Sequence, residues 1–206
     1  MVLDLTFVFF GLIIILVLLP LYIYRNKIFA PTEKKGNIQP FVREVDSYLS
    51  TNYPKIKFNY DIVNKLEDEK NLKTKEILIL EDLVRQFVYQ EYELHTQKAV
   101  SKSKLWSGYD QNSILLKDNK LPVDWAQRKE AAWNRETGKC DRCGTRSKLA
   151  DTNALLAKQM RNGGGFNLEN IVILCNDCTR VIKSANLERT KKDLLILDKL
   201  MRKVTN

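Results

Sequence analysis

Histidine is almost missing from this 206-residue chain: His95 is the only one. Any site built on paired imidazoles, for a metal or for proton transfer, is thereby excluded. Cysteine is scarce too. There are four, and none stands alone: Cys140 pairs with Cys143 and Cys175 with Cys178. Charge is missing from one long stretch, residues 5–24. No Lys or Arg precedes that stretch and no small-x-small cleavage site follows it, which argues against a cleaved signal peptide. It also lacks a polar face, which argues against a buried soluble helix.

What fills residues 5–24 is an unbroken apolar run of twenty residues, long enough to cross a hydrocarbon core of about 30 Å. Pro20 is tolerable in lipid, and Tyr22 and Tyr24 suit an interfacial belt. Arg25, Lys27, Lys34 and Lys35 follow the run, so the positive-inside rule places the C-terminal side in the cytoplasm. The expectation is a single-pass anchor over residues 1–27, in an inner or plasma membrane, with a linker over 28–37 and a cytoplasmic body.

Residues 38–121 read as a mainly helical middle region. Phe41, Val42, Val45, Tyr48 and Leu49 recur at helical spacing, and Asn52-Tyr53-Pro54 stops them. A short alternation over 55–63 admits a strand. The clearest helix spans Lys73 to Leu94, where Ile77, Leu80, Val84, Phe87, Glu91 and Leu94 form a seam of heptad spacing. That seam serves either as an ordinary packed face or as a homodimer contact. His95 falls at its C-terminal end as a surface or capping residue. Trp106 and Tyr109 lie in a loop-like stretch, to pack on the body or stack on a base.

Cys140-Asp-Arg-Cys143 and Cys175-Asn-Asp-Cys178 are two C-x-x-C turns in one short module, the pattern of a four-thiolate zinc site. Four thiolates fill a tetrahedron, so the zinc is structural. The 31 residues between the pairs must carry structure of their own. Ahead of them Asp124 is an N-cap candidate for a helix from Trp125, and Gly138 its C-cap. Trp125 and Trp133 read as core.

The module resembles the zinc-bearing HNH endonucleases. Trp125-Ala-Gln-Arg128-Lys129, Arg135, Cys140-x-x-Cys143-Gly144, Gly164-Gly165, Leu168-Glu169-Asn170 and Cys175-x-x-Cys178 carry the likeness, over the last 80 or so residues. The resemblance implies a ββα fold holding the zinc over residues 122–206. The fold class is therefore α+β and mainly helical, with an N-terminal transmembrane helix and a basic C-terminal helix over Leu187–Val204. The family's general base is a histidine early in the gap. Its acidic-His pair falls here on Asp151-Thr152 or, in the other register, Thr152-Asn153, and Thr179 follows the last cysteine. Threonine cannot take a proton from water near neutrality, and loss of a general base costs roughly 100- to 10,000-fold in rate. The frame is kept and the chemistry is lost on this reading.

Charge is uneven. Residues 120–206 hold 18 basic against 10 acidic side chains, a net +8, whereas residues 36–119 are close to neutral. Basic charge supplies most non-specific affinity for phosphate backbones. Arg142, Arg146, Lys148, Lys158, Arg161, Arg180 and Lys183 are the candidates to touch phosphate. Anionic lipid beneath the anchor is the competing use. Two classes of function stand. One is a membrane-anchored binding module, catalytically degenerate, that holds DNA, RNA or a membrane-protein partner. The other is a divergent nuclease using Asp151, Asn153 and Asn170 around Mg or Mn. A scaffold dimerising through the Lys73–Leu94 helix is compatible with the first.

Overall fold

The computed structural model describes residues 9, 14–20, 22, 36–111 and 121–205. The chain divides between Lys35 and Gly36. Ahead of that point residues 14–20 are helical. At 1.5 Å per residue they rise about 10 Å, a third of a hydrocarbon core. Among the described residues no helix is long and apolar enough to cross a membrane. The expected transmembrane anchor, and the single-pass localisation drawn from it, are corrected accordingly. The rest of that apolar run, and the linker over 28–35, lie outside the described residues.

Residues 36–206 form one unit. Helix α1 (Gln39–Asn52) opens with Pro40 in its first turn, where a missing N–H costs nothing. It buries Val45 and Leu49, spaced by four, and ends before Tyr53-Pro54. Residues 56–60 have no regular secondary structure and join no sheet, so the short strand admitted there does not form. A single turn, α2 (Ile62–Lys65), follows. Helix α3 (Leu72–Tyr89) starts at Asn71, whose side chain accepts from the amides of Lys73 and Thr74. Leu80, Val84 and Phe87, the seam read as a candidate dimer contact, are buried in the chain's own core. The helix stops at Tyr89, not Leu94, and residues 90–100 continue as a strap without regular secondary structure, held by Tyr92 on Asp141 and by the Gln97 amide on the Glu169 carbonyl. His95 is exposed on that strap, away from any helix end.

Helix α4 (Trp125–Arg135) is anchored by two arginines. Arg128, only 1% exposed, bonds Asp124, the Phe166 carbonyl and the Asp110 carbonyl. Arg135 donates to the carbonyls of Leu168 (2.6 Å) and Ile171 (2.7 Å), at the entry to the second strand. Gly138, in the left-handed region at φ 72°, ends the helix with its amide on the Trp133 carbonyl.

Strands β1 (Thr152–Leu156) and β2 (Ile171–Cys175) pair antiparallel, Thr152 opposite Cys175 and Leu156 opposite Ile171. All five residues of β2 are buried. Its alternation serves two cores at once. Val172 and Leu174 join the larger core with α1, α3 and the cysteines, whereas Ile171 and Ile173 join a smaller one under α4. Burying each such side chain contributes roughly 1.5–3 kcal/mol. Helix α5 (Asn176–Lys183) continues directly from β2, and α6 (Leu187–Lys192) and α7 (Leu195–Thr205) complete the chain. The expected single C-terminal helix is thus two, broken at Asp193-Leu194. The fold is α+β and mainly helical, with a two-stranded sheet.

Candidate metal centre

The first cysteine pair sits on a tight turn between α4 and β1. The amide of Gly144 bonds the Cys140 carbonyl (2.9 Å), and the amide of Cys140 bonds the Thr145 carbonyl (2.9 Å). Gly144 is required there. Its φ is +78°, and a Cβ would lie 2.9 Å from Pro54 Cγ. The second pair sits where β2 becomes α5. Cys175 caps that helix, its sulfur accepting from the amide of Cys178 (3.5 Å). A thiolate at a helix N-terminus is stabilised by the amides it faces.

The two turns bring all four sulfurs together. The Sγ atoms of Cys140, Cys143, Cys175 and Cys178 lie within 4.8 Å of one another, and all four residues are buried. Cys143 and Cys175 sulfurs are 3.8 Å apart. A tetrahedral zinc with bonds of about 2.3 Å has sulfur–sulfur edges of about 3.8 Å. The cluster could therefore hold a metal ion such as zinc with little movement. Without metal, the hydrogen bonds that Cys140 receives from Cys143, Cys175 and Cys178 hold its thiol below the ordinary range. Cys175 and Cys178 are pushed up by their hydrogen bonds to Cys140. Four sulfurs around one ion would fill a tetrahedral shell and leave no position for a substrate.

The residues between the ligands are spent on the fold. Asp141 is gripped from the middle region by Tyr92 Oη (2.5 Å) and Lys55 Nζ (3.4 Å). Burial, and then the hydrogen bond to Asp141, push the Tyr92 phenol up. Thr145 donates to the Asn52 carbonyl (2.6 Å). Arg142 is 3% exposed. It donates to Cys178 Sγ (3.6 Å) and to the carbonyls of Phe87 (2.5 Å) and Gln90 (3.2 Å). Its place among the phosphate-contacting candidates is corrected: the guanidinium faces inward because the thiolates and orphaned helix carbonyls draw it there. No sequence signal separated it from its exposed neighbours.

The other candidate cations are exposed but fall in three places. Arg146 and Lys148 line a cleft of about 370 Å³ beside Cys175, together with Asp151, Asn176 and Lys199. Lys199 was missed as a site residue, although its place in the basic last helix was visible. Lys158 and Arg161 lie on the β1–β2 connection, at the other end of the sheet. Arg180 and Lys183 project from α5, where Arg180 donates to the Asp193 carbonyl.

The residues considered for a nuclease are not gathered. Asp151 is exposed in a turn just before β1, at the cysteine end of the sheet. Asn153, one position into β1, donates to Asn176 (2.8 Å). Asn170 is buried at the opposite end, about 13 Å along five-residue strands. Its amide bonds the Lys158 and Gly165 carbonyls and accepts from the Lys158 amide. It staples the long connection. Thr179 donates to the Cys175 carbonyl (2.9 Å) within α5. Among the described residues the four cysteines are the one group of three or more His, Cys, Asp or Glu that could hold a metal. In comparisons with protein families, curated proteins and solved structures, none matches this chain.

Proposed function

We propose that the chain is a zinc-binding protein whose HNH-like frame holds nucleic acid without cutting it. The observation that carries this reading is the cleft beside Cys175. There Arg146, Lys148 and Lys199 line one concave site with Asp151 and Asp177, and residues 120–206 around it carry a net +8, or about +6 once a zinc–thiolate cluster is counted. The β1–β2–α5 order, with the second cysteine pair at the strand–helix junction, supports the HNH-like frame. The separation of Asp151 from Asn170 weighs against the nuclease reading, as does the lack of histidine anywhere in the module. Cleavage with Mg or Mn is not expected.

The test is a titration of the zinc-loaded chain against labelled duplex and single-stranded nucleic acid at several salt concentrations. Affinity should fall steeply with salt, because each phosphate contact releases a counterion. Lys148→Glu should weaken binding to every sequence alike. No binding at low salt would overturn the reading and turn attention to protein partners. Metal-dependent cleavage lost in Asp151→Ala would favour the nuclease instead.

A further inference from the structure

We propose that Arg142 is a positioning residue for the metal. It sets the affinity of the four-thiolate centre and couples occupancy of that centre to the end of α3 and the strap over residues 90–100. The inference rests on the zinc reading above.

Geometry supplies both halves. On one side Arg142 Nη1 donates to Cys178 Sγ (3.6 Å). A zinc ion with four thiolates carries a formal −2, and the guanidinium offsets half of it in a buried space. Lys55, another nearby cation, reaches Asp141 rather than a sulfur. On the other side Nη2 bonds the carbonyls of Phe87 and Gln90, and the guanidinium lies 4.9 Å over the Phe87 ring. In a continuing helix the Phe87 carbonyl would accept from the amide of Glu91. Arg142 takes that place, where α3 ends and the chain leaves as a strap. One side chain therefore touches a metal ligand and caps a helix from a separate part of the sequence.

The coupling follows from charge. A buried guanidinium is costly unless an anion faces it. The metal–thiolate cluster is that anion. Losing the ion removes what holds Arg142 inward, and the carbonyls of Phe87 and Gln90 lose their donor. By linkage, a well-docked α3 end favours the metal in return.

The test uses the full chain. Cobalt(II) reports the ligand set by its tetrahedral-thiolate absorption, competition with a chelator gives the zinc affinity, and hydrogen exchange follows residues 88–100. In the metal-saturated wild type, exchange over 88–100 should be slow. Arg142→Met should bind zinc about 10- to 100-fold more weakly and exchange quickly there even when metal-saturated. Arg142→Lys should recover part of the affinity, because it keeps the charge, but not the protection, because a single ammonium lacks the fork. Wild-type zinc affinity in Arg142→Met, or unchanged exchange in its saturated form, overturns the proposal. Should that variant fail to fold, an Arg142→Lys protein that matches the wild type in both readouts overturns it equally. A wild type without the cobalt–thiolate absorption defeats the zinc reading itself, and this inference with it.

Discussion

Asp177, between the last two cysteines, caps the helix that begins at Leu195: its two carboxylate oxygens accept from the amides of Leu195 and Ile196, each at 3.0 Å. The second cysteine turn is thus tied to the C-terminal helix, as the first is tied to α3 through Arg142. Asp177→Ala would leave both amides without that partner, one of them buried. It should cost about 1–2 kcal/mol, read as a lower Tm at saturating zinc. Asp177→Asn keeps one acceptor oxygen and should lose less. An unchanged Tm in the alanine variant would show that the cap adds nothing.

Zinc removal should unfold much of residues 36–206, because the cysteines lie in the same core as α1, α3 and α7. Structural zinc sites contribute on the order of 10–16 kcal/mol in isolated zinc peptides. Cys140→Ser and Cys175→Ser should therefore abolish the cooperative melt and protease resistance. Protons compete with metal for thiolates, so acidification should release zinc and chelators should act faster at lower pH. Zinc content measured across pH, alongside circular dichroism, checks both. A serine variant with a wild-type melt would sink the claim.

The cysteine turns were legible because their signal is local, a two-residue spacing. Gly138 was legible for the same reason. The end of α3 was not. Its apolar spacing runs on to Leu94, whereas the helix stops at Tyr89, where Arg142, far along the chain, bonds the Phe87 and Gln90 carbonyls. Arg142 itself reads as one more surface cation, since nothing in the sequence shows that it faces sulfur. Asp124 reads as an N-cap, yet its carboxylate accepts from Arg128 instead. The break at Leu194 was hidden because Asp177, which caps the following helix, lies in α5, with α6 between them. The apolar start of the chain met the length of a membrane span in sequence, and the described residues do not supply such a helix.

Tyr92 is one of four phenols, with Tyr48, Tyr53 and Tyr60, that burial raises and that together set an alkaline limit on the unit. Burial and its bond to Asp141 raise the phenol above its ordinary value of 10.0. A raised pKa favours the neutral form, so its contribution is fully present below about pH 10 and is lost as pH rises toward the folded value. Tyr92→Phe should lower stability at neutral pH and flatten the decline above pH 10. Denaturant titrations at pH 8 and pH 10.5 check it. Equal pH dependence in the two proteins would rule Tyr92 out as a cause.

Asn170 and Asp151 separate scaffold from chemistry. Asn170 is buried, with three bonds to the backbone of Lys158 and Gly165. Asn170→Ala strips polar groups of the long connection of their partner, and each buried one left unsatisfied costs about 1–3 kcal/mol. A loss of about 2–4 kcal/mol is expected, with zinc stoichiometry unchanged because the cysteines lie at the other end of the sheet. Asp151 is exposed, and Asp151→Ala should move stability by no more than about 0.5 kcal/mol. Removing a negative charge from the basic cleft should, if anything, tighten nucleic-acid binding. Paired melts and binding titrations of the two variants decide the matter. A stable Asn170→Ala protein, or an Asp151→Ala protein that binds more weakly, would show that these residues do something other than brace the frame and temper its charge.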